Sequence, residues 1–333
     1  MTDATLVSIV TPSYNQSAYL EDAIRSVLAQ EQSGTGSFRI EYMIVDGGSQ
    51  DGSLELIHRY ASHLAWWVSE PDSGQAEAIN KGLSRASGEV VAWLNSDDLY
   101  LPGAVSSAVV ALRDNPDVGL VFSNAITIDS RGRPLKRLNF GDWGLLELMK
   151  FRIICQPAVF MRRSVLEKAG GLDTSYHFML DHQLWLRLAR IAPVLHTANM
   201  WAAARHHLVA KNVSQPTEFG RETLRILDWM GTQPDLAPLL KQYERQIRGG
   251  AYRLNARYLL DGGLAGPALK SYGQAIMFDP AFAIKHWHRI LYAFASLAGA
   301  KNLVDGYANR RYHRLNLFDI SGLKGWPGLS LEA

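Results

Sequence analysis

Val90-Val91-Ala92-Trp93-Leu94-Asn95-Ser96-Asp97-Asp98 runs from an unbroken apolar stretch straight into a polar loop that ends in two adjacent acids. An apolar run this short, closed by turn residues, is the pattern of a strand buried on both faces in a parallel sheet. The acids that follow are harder to account for by structure alone. Neighbouring carboxylates repel each other, and a simple turn needs only one of them. A divalent cation removes the conflict, and hard oxygen donors suit magnesium or manganese, which complete their shells with phosphate oxygens and water. The structural alternative is a capped turn ahead of Pro102.

Toward the amino terminus the same texture repeats. Strands are expected at residues 6–11, 40–45 and 66–69, besides 90–94, each closed by a polar or glycine-bearing loop. Between them, residues 19–30 place Leu20, Ala23, Ile24, Val27 and Leu28 on one helical face, and residues 54–61 and 75–86 follow the same spacing. Strands alternating with helices predict an α/β fold with a Rossmann-like, mostly parallel sheet, whose ligands bind beyond the carboxyl ends of the strands. Asp46, in Asp46-Gly47-Gly48-Ser49-Gln50-Asp51-Gly52, stands at such an end. It suits either a turn or a contact to a base or ribose, whereas Asp51 suits a helix cap.

Toward the carboxyl terminus, a helix is expected at 102–115, strands at 118–122, 125–128 and 160–161, and helices at 163–169 and 181–191. Asp181 opens the last of these, where a carboxylate can cap the helix and still face a cleft. His182 beside it reads as a surface or packing residue, and Arg205-His206-His207 as a contact to phosphate or metal. Past about residue 214 strand patterns cease, and 221–230, 236–260, 267–277 and 283–298 read as amphipathic helices. The expected organisation is a catalytic domain over 1–214, with a nucleotide-binding half to about 100 and an acceptor half beyond it, followed by an all-helical region at 215–333.

Composition narrows the class. A chain of 333 residues with 47% hydrophobic and 20% charged residues is an ordinary folded protein, and a net charge of +2 gives no reason to expect a nucleic-acid partner. The balance is uneven: residues 1–214 carry 19 basic and 22 acidic side chains, residues 215–333 carry 15 and 10. The single cysteine, Cys155, allows no intramolecular disulfide and fits a reducing compartment. The first residues lack the basic cluster and apolar run of a secretion signal, so a cytoplasmic location is expected. In the helical region Ile284, Trp287, Leu291, Phe294 and Ala298 form an apolar stripe, with Lys285, His286, His288 and Arg289 elsewhere on the helix. Packing onto the catalytic domain is the preferred reading; a membrane-surface helix near a lipid-linked acceptor is the alternative.

These motifs, in order and spacing, resemble the family 2 glycosyltransferases of the GT-A fold over most of residues 6–214. The resemblance rests on Val7-Ser8-Ile9-Val10-Thr11-Pro12-Ser13-Tyr14-Asn15, the loop from Asp46, Ser69-Glu70-Pro71-Asp72-Ser73-Gly74-Gln75, Trp93 to Asp98, Cys155-Gln156-Pro157 and the helix from Asp181. It is similar to a bacterial branch that builds surface polysaccharides. It implies an inverting, metal-dependent transferase that moves a sugar from a nucleoside-diphosphate sugar, a UDP-sugar in particular, to a saccharide or lipid-linked saccharide acceptor. Thr11, Pro12, Tyr14 and Asn15 would border the base, Asp46 would bind base or ribose, and Asp72 would hold nucleotide or sugar. Asn95 takes the first position of the Asp-X-Asp pattern beside the nucleotide-sugar and metal carboxylates Asp97 and Asp98. Asp181 would be the catalytic base, with Arg205 and His207 near the diphosphate and the Mg2+ or Mn2+ ion. Where many relatives have a second acid, this chain has Gln183. A nucleotidyltransferase, which would leave Asp181 without a role, and a silent sugar-nucleotide-binding protein are the rival readings. A dinucleotide oxidoreductase is disfavoured, because the first strand leads into Pro12-Ser13-Tyr14-Asn15 with no Gly-X-Gly-X-X-Gly.

Overall fold

Four strands form the parallel half of the sheet: β1 (Thr5–Ser13), β2 (Phe38–Asp46), β3 (Trp66–Ser69) and β4 (Val90–Trp93). The computed structural model describes residues 4–33, 38–207, 214–281, 285–299 and 321–330. β2 pairs with β1 and β3, and β1 with β4, all parallel. Their register puts Ser13, Asp46 and Ser69 in one row. The loops that follow these strands, and the one after Trp93, therefore emerge side by side at the carboxyl edge. Helices Ser17–Leu28, Ser53–Tyr60 and Gln75–Leu83 return the chain between strands, and Leu20, Ile24, Val27 and Ile57 bury their apolar faces. Burying such a side chain stabilises the fold by about 1.5–3 kcal/mol.

The sheet then becomes mixed. Beyond β4 lie β5 (Leu99–Tyr100), β6 (Leu120–Asp129), β7 (Pro134–Leu138), β8 (Val159–Arg162) and β9 (Val194–His206), in the spatial order β3-β2-β1-β4-β8-β6-β9-β5, with β7 against β6. β8 runs antiparallel between β4 and β6, while β9 is parallel to β6 and antiparallel to β5. Sequence periodicity places two strands at 118–122 and 125–128; the structure has one, because Ser123 and Asn124 are buried and hydrogen-bonded within it. β5, β7 and β9 were not legible as strands. β5 is two residues long, and β9 includes solvent-facing positions and lacks a sustained alternation. Residues 199–206 complete β9.

The chain divides into two compact units. One comprises Met1–Gly144, Ile154–His206 and Phe318–Ala333; the other comprises Leu145–Ile153 and His207–Leu317. The second is helical, with Pro216–Thr232, Leu236–Gln242, Glu244–Asp261, Ala265–Phe278 and Trp287–Leu297. The single helix expected over 236–260 is thus two, broken at Tyr243. The unit's core holds Ala256, Leu260, Ala268, Tyr272 and Ala293, with Ile290 and Tyr292 packed on it. Within this unit Ile290 and Ala293 supply the packed face of helix Trp287–Leu297, and Trp287, Leu291, Phe294 and Leu297 are 56–60% exposed. Ile284 lies outside the described residues. Among the described residues, no helix is long and apolar enough to cross a membrane.

Candidate active site

The first loop is clamped to the second. Asn15 adopts φ 51°, a left-handed conformation that asparagine tolerates. Its N–H donates to Ser49 Oγ at 2.8 Å, and its Oδ1 accepts from Gln50 N–H at 2.9 Å. Asp51 accepts from Ser17 N–H at 2.8 Å and Ser53 N–H at 3.1 Å, so it ties together the starts of two helices. Burial alone would raise its pKa, but these hydrogen bonds outweigh that and hold it below the usual carboxylate range. Asp46 is fully buried and uses both oxygens within the protein: Oδ2 accepts from Gly48 N–H, Ser49 N–H and Ser69 Oγ–H, and Oδ1 from Ser49 Oγ–H. Thr11 and Pro12 lie inside the sheet, with Thr11 Oγ1 3.0 Å from the Tyr42 hydroxyl.

The exposed face of this corner is made by Tyr14, Asp72 and Gly47. Tyr14 is 62% exposed, and Asp72 is pinned through Oδ1 by Gly74 N–H at 2.9 Å. A Cβ on Gly47 would stand 2.9 Å from Asp72 Oδ2 and 3.3 Å from Tyr14 Cδ2. Asp72 cannot swing aside without losing its bond to Gly74. Gly47→Ala is therefore expected to destabilise the fold by about 1–3 kcal/mol, the cost of overpacking of this kind. Denaturant unfolding checks it; unchanged stability would show that the corner has room for a methyl group.

At the end of β4 an amide chain holds the acids. Gln75 Nε2 donates to Asn95 Oδ1 at 2.7 Å, and Asn95 Nδ2 donates to Asp98 Oδ2 at 3.2 Å and to Gln156 Oε1 at 3.1 Å. Gln156 is anchored in turn by donating to the Trp93 carbonyl at 2.8 Å. The other oxygen of Asp98 accepts the Arg205 N–H at 2.9 Å. Asp98 is only 6% exposed, and burial, followed by the neighbouring Asp97 charge, pushes its pKa well above the usual value. Two carboxylates crowded in this way are a donor set that fits a hard cation, which would remove both the repulsion and the desolvation cost. Among the described residues there is no group of three or more His, Cys, Asp and Glu side chains arranged as a metal cluster. An ion here would rest on two carboxylates and draw the rest of its shell from diphosphate and water.

Asp181 lies in the first turn of helix Leu180–Ala189, half-buried, with Oδ1 accepting its neighbour's His182 N–H at 2.7 Å. This helix is fastened to the end of β4 by Trp185 stacked on Trp93, with ring centroids 5.1 Å apart and planes 21° apart. The Cys155 thiol is pushed up by burial and then by the negative charges of Asp98 and Asp181. Gln183 and His182 turn inward, 2% and 1% exposed.

Arg205 is placed differently from what the sequence suggests. Its side chain is 2% exposed, with Nε donating to the Asp97 carbonyl at 2.9 Å and Nη2 paired with Asp22 at 3.2 Å. Its guanidinium also lies 4.8 Å from the Tyr19 ring centroid. His207 is buried at the start of the second unit, and the metal reading does not use it. Sequence reasoning gave no role to Asp22, Gln75, Gln156 or Cys155; the motifs ending in Gln75 and beginning Cys155-Gln156 were the available signal for three of them.

The model for Glycosyl transferase family 2 matches residues 8–170. An uncharacterised glycosyltransferase of Mycobacterium tuberculosis is 31% identical over 200 residues, which cover 57% of this chain and 71% of the relative. The chain belongs to glycosyltransferase family 2. A second relative, an uncharacterised glycosyltransferase of Rickettsia typhi, is 27% identical over 62% of this chain and 65% of its own. Two solved structures share the architecture. The crystal structure of S. aureus TarS 1-349 aligns with a TM-score of 0.58 at 17% identity, covering 94% of each chain. The mannosyltransferase PcManGT from Pyrobaculum calidifontis, in complex with GDP-Man and Mn2+, aligns with a TM-score of 0.57 at 18% identity, covering 90% of this chain and 88% of its own. The glycosyltransferase thus has the GT-A fold with C-terminal helices, and the edge carrying Tyr14, Asp72, Asp98 and Asp181 is where its chemistry is sought.

Proposed function

We propose that this glycosyltransferase moves a sugar from a nucleoside-diphosphate sugar, a UDP-sugar in particular, to an acceptor hydroxyl with inversion, in the synthesis of a bacterial polysaccharide or glycan. The observation that carries the reading is that the Trp93–Trp185 stack holds the helix of the half-buried Asp181 against the end of β4, whose following loop presents the buried Asp98 in its amide chain. Asp181 takes the proton of the acceptor hydroxyl as that oxygen bonds to the anomeric carbon. The bond from that carbon to the diphosphate breaks, and the diphosphate leaves with the electron pair. Asp98 and Asp97 would hold a magnesium or manganese ion, which would supply charge neutralisation for that leaving group. The Gln75-Asn95-Gln156 amides hold Asp98 for it, and Asn95 stands beside the donor. Tyr14, Asn15 and Asp72 border the nucleotide, while Thr11, Pro12 and Asp46 shape that border from within. One base and one cation replace the paired carboxylates of a hydrolase.

Complexes of the structural neighbours with UDP-GlcNAc and with GDP-Man and Mn2+ support a nucleotide-sugar donor for this chain as well. Thermal shift with UDP and GDP, each with and without manganese, tests base, diphosphate and cation together. The expected result is a manganese-dependent rise in melting temperature with UDP and slow donor turnover. Neither binding nor turnover of any nucleoside-diphosphate sugar would overturn the proposal, and binding without turnover would favour a silent binding protein.

We also read the second unit as a peripheral membrane contact that brings the enzyme to a lipid-linked acceptor. The support is the outward stripe Trp287, Leu291, Phe294 and Leu297 beside a basic neighbourhood. His286 is pushed down to about 4 by burial and then by the positive charges of Arg253, Arg289, His288 and Arg257. An apolar stripe with a basic rim suits an anionic bilayer surface. The full chain is expected to float with phosphatidylglycerol vesicles, and Leu291→Ser with Phe294→Ser to stay behind. Equal behaviour of the two proteins would remove this contact.

A further inference from the structure

Residues 321–330 return to the catalytic unit after the whole helical region and pack against the far end of its sheet. Leu323, Trp326 and Leu329 cover Leu99, Leu101, Ile126, Ile128 and Ala203. Trp326 Nε1–H donates to the Tyr100 carbonyl at 2.7 Å, and Ser330 N–H to the Gly132 carbonyl at 3.1 Å. Gly328 makes the closest approach. At φ +72°, a Cβ on it would stand 2.8 Å from Asp22 Cβ and 2.9 Å from Leu99 Cδ1, and a Cβ on Gly132 would stand 2.1 Å from the Gly328 oxygen. Two glycines back to back allow the tail to lie this near.

Two of the three places the tail grips also hold Arg205, and the third is the strand that follows the acid pair. Asp22 is the arginine's ion-pair partner; the turn at 129–132 offers the Asp129 and Ser130 carbonyls, 3.4 and 3.3 Å from Nη1. β5, the two-residue strand at the sheet edge, leads directly out of Asp97 and Asp98. Arg205 donates its N–H to Asp98 and its Nε–H to the Asp97 carbonyl, so whatever fixes Arg205 fixes the acid pair. We infer that residues 321–330 are a working part of the active site, a latch that seats the Asp22–Arg205 pair and through it positions Asp98. Arg205 is then a positioning residue. The inference rests on the reading of Asp98 as the cation-binding acid.

The test compares the full chain with a chain ending at residue 320 and with Gly328→Ala, whose methyl group would press on Asp22. Both variants are expected to lower kcat about 10²-fold, the scale of an ångström-sized misplacement of reacting groups. They should also weaken manganese binding and leave the KM for the donor near the wild-type value. A synthetic peptide of residues 318–333, added to the truncated chain, is expected to restore turnover. Gly322→Ala, at a position with open space around it, should behave as wild type. Wild-type kcat in a folded Gly328→Ala protein would overturn the inference even if the truncated chain fails to fold. A low kcat with unchanged manganese affinity and no rescue by peptide would also overturn it, leaving the tail a merely structural element. If Asp98→Ala is active while Gly328→Ala is not, the reading of Asp98 has failed rather than the latch.

Discussion

Asp98→Ala is expected to abolish sugar transfer, with turnover falling on the order of 10³-fold or more, because the charge on the departing diphosphate loses several kcal/mol of stabilisation. The fold should survive. Asp98 is 6% exposed, beside a second carboxylate, and the ionised form bears a desolvation cost that hydrogen bonds from Arg205 and Asn95 only partly offset. Asp98→Asn keeps the volume, removes the charge and relieves the repulsion from Asp97. In cation-free buffer its melting temperature is expected to equal or exceed that of the wild type, while manganese no longer raises it in the presence of UDP. Such opposition between stability and activity is the mark of a residue held in a strained setting for chemistry. Calorimetry and donor turnover on the same preparations check both halves. Turnover at the wild-type rate in Asp98→Ala would reject the cation site.

Asp181→Asn is the second large effect. Loss of a general base lowers kcat by about 10²–10⁴-fold. Donor affinity should be unchanged, since the corner at Tyr14, Gly47 and Asp72, proposed to border the nucleotide, is built from other loops. No neighbour can substitute. Gln183, where a second acid is common among relatives, is 2% exposed and accepts from Arg187 Nε–H at 2.9 Å, and His182 is 1% exposed. The stacked Trp93 and Trp185 rings keep the helix in place whichever residue occupies position 181, so misfolding should not confuse the result. Wild-type kcat in Asp181→Asn, with intact UDP binding, would remove Asp181 from the reaction.

Much of the fold is legible in the order of the residues alone. β1 to β4 and the three helices between them follow from apolar runs and a 3.6-residue period, both local properties of the chain. The same locality makes Asp97-Asp98 and Asp181 stand out, because each follows or opens a strongly patterned element. The failures also have a physical cause. β5 is too short to show a pattern, and it exists because β9 pairs with it across about a hundred residues of chain. Arg205 beside two histidines reads locally as a phosphate contact; in the fold it meets Asp22, 183 residues away, and the two carbonyls of a turn.

Asp97 and Asp98 show where the division falls. The sequence by itself determined that two acids follow a buried strand in a family 2 glycosyltransferase, since residue type and local period suffice for that. Only the tertiary structure decided that Asp98 is the buried one, gripped by an amide chain from Gln75 and Gln156 and by the backbone of Arg205. It also decided that Trp326, 226 residues beyond Tyr100, closes the far side. Burial and hydrogen-bond partners between distant segments arise from packing, and packing leaves no periodic trace in the chain that makes it.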